Sequence, residues 1–259
     1  MAHSWDPEHY LSYADERGRP FVELVARVGA TEPRTVVDLG CGPGNLTALL
    51  ARRWPGADLR GVDSSAEMVA AAVRDHGDLA SFEVGDLRDW AAPEGGVDVL
   101  VSNATLQWLP DHLELLPSLV AQVAPGGWFA FQVPGNFHEP SHTIRAELAA
   151  EPPYAEHEPD AGIHGSEEPA AYLEALAAAG CAVDVWETTY LHVLQGEDPV
   201  FTWVSGTGAR PTIQSLPEGG VRDRFVEEFK RRLRAAYPPQ PYGVVLPFRR
   251  IFAVAQVPA

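Results

Sequence analysis

Lysine, cysteine and methionine are nearly missing from this 259-residue chain. Lysine occurs once, at Lys230, beside eighteen arginines; cysteine occurs twice, at Cys41 and Cys181, and methionine twice. Two cysteines build neither a disulfide framework nor a zinc spacing, so no metal site is expected. Positive charge is scarce too, and the formal net charge is −17. A field of that sign repels nucleic acid and anionic membrane, and neither is expected as a partner. A small anionic ligand remains compatible, provided a local cationic pocket receives it. With arginine supplying nearly every cation, the choice of Arg over Lys at one position carries no information. No apolar run reaches the roughly 20 residues that span a bilayer, and Met1 to Asp6 lack the charged-then-apolar pattern of a leader. A soluble cytoplasmic protein is the expectation. No internal repeat is visible.

What is present is a core. Hydrophobic residues make up 46% of the chain, and the length fits one α/β domain with an insertion. The chain is organised around Val36-Val37-Asp38-Leu39-Gly40-Cys41-Gly42-Pro43-Gly44-Asn45. A β-branched run ends at Asp38, glycines alternate at 40, 42 and 44, and a helical apolar pattern starts at Leu46. This spacing predicts a strand, a tight turn and a helix N-terminus. Glycine lacks a Cβ and accepts positive φ, so such a turn brings main chain within contact distance of a ligand. The dinucleotide fingerprint places a third glycine where Asn45 stands, and the Lys and Ser/Thr of a phosphate-binding loop are missing. A turn that seats a nucleoside without cradling a pyrophosphate points to S-adenosylmethionine.

Strands are predicted at Thr35–Leu39, Asp58–Val62, Ser81–Val84, Val97–Val101 and Trp128–Val133, with helical segments between them. That alternation predicts a doubly wound, mostly parallel, Rossmann-like α/β sheet. Pro20 is expected to precede a helix over 21–28 that Gly29 stops. Ser64 and Ser65 both suit the N-cap of the helix carrying Met68, Val69 and Val73. From Pro134 to 169, rich in Pro, Glu and His, an inserted, partly irregular segment is expected. A long strand is predicted from Cys181 to Leu194, helices and loops over 196–247, and a last strand from Phe248 to Val257, the late strands closing the sheet with an antiparallel edge. The resulting division assigns 1–133, 181–195 and 248–259 to a cofactor domain, and 134–180 and 196–247 to an inserted helical cap.

In such sheets ligands bind at the carboxyl ends of the strands. Asp38, Gly40, Asp63, Asp86 and Asn103 all fall there, although 65 positions separate the first from the last. Asp63 lies 19 residues after Gly44, the place of the carboxylate that accepts from ribose hydroxyls; the competing role is a helix-start aspartate favoured by the macrodipole. Asp86 and the Leu87 N–H are placed to meet an adenine edge, unless Asp86 serves only its own turn. Asn103, Gln107 and Trp108 lie where the sulfonium end would be, and a ring face there favours positive charge; plain core is the other role open to Trp108. Cys41 reads as a small filler. Before the first strand, Trp5, Tyr10, Tyr13, Arg17 and Arg19 form either a flap over a ligand or a cover for apolar surface.

The quoted glycine stretch, Gly61-Val62-Asp63-Ser64-Ser65 and Asn103-Ala104-Thr105-Leu106-Gln107-Trp108-Leu109-Pro110-Asp111-His112 resemble class I S-adenosylmethionine-dependent methyltransferases. More narrowly the chain resembles the trans-aconitate 2-methyltransferases, through Trp5-Asp6-Pro7 with Tyr10, Arg17-Gly18-Arg19-Pro20, Glu139-Pro140-Ser141-His142, Ala161-Gly162-Ile163-His164, Trp186 to His192, Thr207-Gly208-Ala209-Arg210-Pro211 and Phe248-Arg249-Arg250-Ile251-Phe252. The acidic stretch from Glu151 to Glu168 fits least well.

The resemblance implies methyl transfer to one carboxylate of trans-aconitate, giving a monomethyl ester and S-adenosylhomocysteine. It implies cofactor contacts from Asp38, Gly40, Gly42, Gly44, Asn45, Asp63, Ser64, Asp86, Leu87 and Asn103, with Trp5, Tyr10, Gln107 and Trp108 positioning the reactants. A carboxylate with a reference pKa near 4 is already ionised at pH 7, so the reaction needs neither a general base nor a metal. A tri-anionic substrate calls for Arg forks; the candidates are Arg19, Arg210 and Arg250, with Tyr190, His142, His164 and His192 as neutral or switchable donors. A surface ion pair is the competing role for each Arg, and a satisfied structural histidine for each His. The alternatives kept are a methyltransferase for another small acid or a natural-product hydroxyl, and a cofactor-binding module without turnover.

Overall fold

A computed structural model describes residues 14–157 and 164–259, with the side chains of 14–17 left aside. In chain order the elements are α1 (Ala14–Ala26), β1 (Thr35–Leu39), α2 (Thr47–Arg53), β2 (Asp58–Asp63), α3 (Ala66–His76), β3 (Ser81–Val84), β4 (Val97–Asn103), a 3-10 turn at Leu106–Trp108, α4 (His112–Val120), β5 (Val123–Pro134), α5 (Pro140–Ala149), a 3-10 turn at Tyr154–His157, α6 (Pro169–Ala178), β6 (Ala182–Leu194), α7 (Pro199–Ser205), α8 (Arg210–Ser215), α9 (Gly220–Ala236) and β7 (Val244–Gln256). Among the described residues no helix is long and apolar enough to cross a membrane.

The strands form one seven-stranded sheet in the order β3-β2-β1-β4-β5-β7-β6. The run from β3 to β5 is parallel. Beside β5 the direction reverses: the Gly135 N–H donates to the Arg249 carbonyl and the Val257 N–H to the Gly127 carbonyl, both at 2.9 Å. As β5 advances, β7 runs back, which makes the antiparallel late strand that the sequence predicts.

The chain divides into two compact units. The first comprises residues 1–133, 166–188 and 250–259; the second comprises 134–165 and 189–249. Helix α6, expected in the inserted cap, belongs to the first unit. Its Tyr172 and Leu176 are fully buried with Phe129 and Phe131 of β5 and Leu116 and Leu119 of α4. Tyr172 meets Phe131 edge-on at 5.2 Å, and its hydroxyl lies 2.9 Å from His112 Nε2, whose Nδ1 faces the Leu109 carbonyl. Strand β4 reads Val-Asp-Val-Leu-Val-Ser, nearly continuous apolar sequence, because a central parallel strand is covered on both faces. Burying each Leu or Phe of this core contributes roughly 1.5–3 kcal/mol. In the second unit, Phe225, Phe229 and Leu233 recur at four-residue spacing along α9 and are buried, with Tyr154 edge-on to Phe225 at 5.1 Å.

The segment after Pro134 is partly irregular, as expected, and its helical part is α5, which starts at Pro140 in the first turn, where the missing N–H is no loss. One helical expectation is corrected. Helix α1 begins well before Pro20, runs through it and ends at Ala26. Gly29 does not cap it; a Cβ there would lie 2.6 Å from the Trp128 ring, so the glycine permits that close approach.

Candidate functional site

The parallel register aligns the strand ends. Asp38 pairs with Gly61, Asp63 with Val84 and Asn103 with Gln132. Asp38, Asp63 and Asn103 therefore stand on adjacent strands at one edge of the first unit, with the glycine turn rising from β1 between them.

The three glycines of that turn all have positive φ: 81° at Gly40, 55° at Gly42 and 80° at Gly44. Their surroundings differ. A Cβ on Gly40 would sit 2.0 Å from the Thr105 hydroxyl oxygen, and one on Gly44 would sit 2.9 Å from Ala72 Cβ and 3.0 Å from the Phe82 ring. At Gly42 nothing lies within 4 Å. Gly40 and Gly44 thus face protein on their Cβ side, and Gly42 alone faces open space. Asn45 stands half-buried between the turn and α2 and lines a shallow surface cleft with Gly18, Arg19 and Leu49.

Asp63 holds the turn. Its Oδ2 accepts the Gly42 N–H and its Oδ1 the Ser65 N–H, both at 2.9 Å. Burial pushes its carboxyl above the usual range, against the pull of those two N–H groups. Each oxygen keeps a second lone pair, so the carboxylate can still accept from a ligand hydroxyl. Ser65, and not Ser64, caps α3: its hydroxyl oxygen accepts the Met68 N–H at 3.3 Å, while Ser64 is exposed. Asp38 is only 2% exposed and accepts from the Thr47 hydroxyl at 2.6 Å. Burial raises its pKa to about 7, the Thr47 bond opposing the rise. Cys41 is buried and its thiol is pushed far up by burial, which suits a filler and removes it as a nucleophile.

Asp86 engages its own turn, the second of the two roles read for it. Its two oxygens grip the Arg88 guanidinium at 3.0 and 2.6 Å, and Oδ1 also takes the Arg88 N–H. That pair holds the carboxyl below its usual range. It is partly exposed, and such pairs are worth little, so a ligand amine has to compete only with a weak bond. Leu87 is buried beside it.

At the end of β4, Ala104 adopts φ 54°, a conformation that costs an L-residue on the order of 1–3 kcal/mol. Two bonds hold it: its N–H donates to the Gln132 carbonyl at 2.8 Å, and its carbonyl accepts from Gln107 Nε2 at 2.6 Å. Gln107 Oε1 and Asn103 Oδ1 are left as buried acceptors without a donor among the described residues. Trp108 is half-buried, while Leu106 of the same turn is core. Arg250, 6% exposed on β7, donates from Nη1 to Gln132 Oε1 at 3.4 Å.

Arg19 is exposed on α1 and pairs with Glu23 at 2.8 Å. The second unit holds His142, His164, Tyr190, His192 and Arg210. There His192 stacks on Trp203 at 4.7 Å and lies 6.2 Å from the Tyr190 ring. His142 is buried beside Arg145, and burial with that cation lowers its pKa to about 3. It stays neutral at physiological pH, the neutral one of the two donor forms read for it. Arg210 opens α8 and His164 is half-buried. Trp5, Tyr10, Tyr13 and the Arg17 side chain lie outside the described residues, as do Ala161, Gly162 and Ile163.

Sequence reasoning missed Thr47, Gln132 and Arg145. Arg145 was within reach: it stands three residues after His142, on the same helical face, and donates to the Gly208 carbonyl at 2.8 Å. Thr47 and Gln132 are single polar residues in apolar company and carry no pattern of their own.

A family model described as a methyltransferase domain matches residues 10–184. A protein named trans-aconitate 2-methyltransferase from Streptomyces avermitilis is 51% identical over 261 residues, covering 97% of this chain and 96% of its own length. One of the same name from Rhodococcus jostii is 53% identical over 259 residues, covering 98% and 99%. Among solved structures, the YcgJ protein of Bacillus superposes with a TM-score of 0.62 at 14% identity, covering 93% of this chain and 99% of that one, a likeness of fold.

Proposed function

The chain belongs to the trans-aconitate 2-methyltransferase family of S-adenosylmethionine-dependent enzymes, and on that premise we propose that it esterifies one carboxylate of trans-aconitate. The observation that carries the reading is the near-full-length identity of about half the residues to proteins of that name. The site chemistry supports it. S-adenosylmethionine, when bound, supplies an activated methyl group and leaves as the neutral sulfide S-adenosylhomocysteine.

The residues present fit that cofactor. Gly42 leaves open the space that a side chain would fill. Asp63 offers the sugar hydroxyls a carboxylate already oriented by two main-chain N–H groups. The buried acceptors Asn103 Oδ1 and Gln107 Oε1 suit the ammonium and sulfonium end, because a buried acceptor without a donor is costly and a cationic ligand relieves it.

No proton has to move. The bound cofactor would supply its methyl carbon to a carboxylate oxygen of the acid, the electron pair of the broken carbon–sulfur bond remaining on sulfur. The protein's task is to align the three atoms and exclude water, an effect that supplies up to roughly 7–11 kcal/mol. Arg250 is the proposed anchor for one acid carboxylate: its fork matches that group, and its burial strengthens the attraction. Mass spectrometry of the product formed from trans-aconitate and labelled S-adenosylmethionine tests the assignment. A monomethyl ester supports it. No product from this acid, with turnover on another acid or on a hydroxyl, replaces the substrate; cofactor binding without any turnover replaces the enzyme reading with a binding module.

A further inference from the structure

Gln132 is 1% exposed, on the strand next to that of Arg250. Its Oε1 accepts from Arg250 Nη1 at 3.4 Å. A guanidinium can only donate, so this contact fixes which end of the amide is oxygen. The other end, Nε2, is buried and has no acceptor among the described residues. Buried donors are rarely left so, and each one calls for an explanation. Local structure does not supply it: the Gln132 carbonyl is engaged by the Ala104 N–H, and the strand register is complete through Asn103 and Gln132. The neighbouring groups are Asn103, whose Oδ1 also lacks a donor, and Arg250.

We infer that Gln132 is a specificity-determining residue, whose Nε2 donates to the same acid carboxylate that Arg250 receives. The two side chains act as a unit. Oε1 orients the guanidinium, and Nε2 stands beside it as a neutral donor. A carboxylate satisfies both, since each of its oxygens accepts two bonds. A neutral hydroxyl satisfies them less well, because it brings no negative charge to the guanidinium and makes only neutral hydrogen bonds. The carboxylate preference thus arises from the amide and the arginine together. This rests on the polycarboxylate reading of the substrate.

The test uses the whole protein saturated with S-adenosylhomocysteine. Trans-aconitate is titrated calorimetrically into wild type and Gln132→Met, and the side-chain amide of Gln132 is followed by 15N–1H spectroscopy in wild type, assigned by its loss in Gln132→Met. The expectation is a downfield shift of the amide proton as the acid saturates. Affinity for the acid should fall about tenfold in Gln132→Met, the size of one hydrogen bond to a charged group, with affinity for S-adenosylhomocysteine unchanged within about twofold. An amide that does not move while the acid saturates overturns the inference, even where Gln132→Met binds weakly, because the residue then only braces Arg250. Equal affinity in Gln132→Met overturns it as well. If that variant does not fold, the Gln132 amide is assigned by triple-resonance spectroscopy of wild type, and its response to the acid decides. If wild type binds no trans-aconitate, the substrate reading falls, and this inference with it.

Discussion

The hydroxyl of Thr47 donates to the carboxylate of Asp38 across 2.6 Å in a buried setting, tying the first turn of α2 to the end of β1. The glycine turn is suspended between those two points. Burial lifts the Asp38 pKa to about 7, against about 3.9 for an unfolded aspartate. Between those values the folded state holds a proton that the unfolded state has released. This carboxyl therefore subtracts stability as pH rises from about 4 to about 7, by about 1.4 kcal/mol per pH unit within the window. Asp38→Asn removes the titration and keeps an oxygen for Thr47. Urea unfolding at pH 5 and pH 8 should show the variant gaining on wild type at the higher pH. An equal difference at both pH values would mean that Asp38 does not titrate there.

Gly40 and Gly42 should answer differently to alanine. Both have positive φ, which costs an L-residue on the order of 1–2 kcal/mol. Gly40→Ala adds a clash with Thr105, whereas Gly42→Ala adds none within the protein. Gly40→Ala is expected to lower the melting temperature markedly more. Gly42→Ala should keep the fold and lose affinity for S-adenosylhomocysteine, read by calorimetry. A Gly42→Ala variant that binds like wild type would take the ligand away from this turn.

How much of this was legible in the sequence depended on pattern. Five strands, the glycine turn and Asp63 were readable because apolar periodicity and glycine spacing each leave a signal many residues long. The start of α5 was not, since proline breaks helices in their interior and yet favours their first turn. The positions of Pro20 and Pro140 look alike on paper. The two roles hidden in the glycine run, packing at 40 and 44 and openness at 42, depend on Thr105, Ala72 and Phe82, which are remote in sequence. Asp86 was placed correctly past β3, but its grip on Arg88 is a side-chain event that spacing does not specify. Gln132 stayed invisible for the same reason: its partner Arg250 lies 118 residues away.

Asp63 sets a second pH limit. Its folded pKa is raised, and the ionised form is the one that accepts from ligand hydroxyls. Affinity for S-adenosylhomocysteine should fall as pH drops through a window lying above the ordinary carboxylate range. Asp63→Asn should weaken binding about tenfold to a hundredfold at pH 8, the worth of a hydrogen bond to a charge, because an amide also sets its NH2 against the Gly42 or Ser65 N–H. Calorimetry across pH in both proteins checks this. A variant with wild-type affinity would return Asp63 to a purely turn-holding role.

Methyl transfer itself should show no basic group at work. The acid's carboxyls have reference pKa values near 4, and the nucleophile is their ionised form. His142, a buried histidine of the second unit, has its pKa lowered to about 3 and carries no charge to shed near neutrality. The ratio kcat/KM for the acid should therefore rise through the ordinary carboxylate range as the substrate ionises, rise further above that range as Asp63 ionises, and then stay level to about pH 9. A bend of unit slope near pH 7 that survives Asp38→Asn would require a general base that this chemistry does not use. One that vanishes in Asp38→Asn would trace to the buried carboxyl under the turn, acting through the cofactor, and would appear equally in the pH dependence of S-adenosylhomocysteine binding.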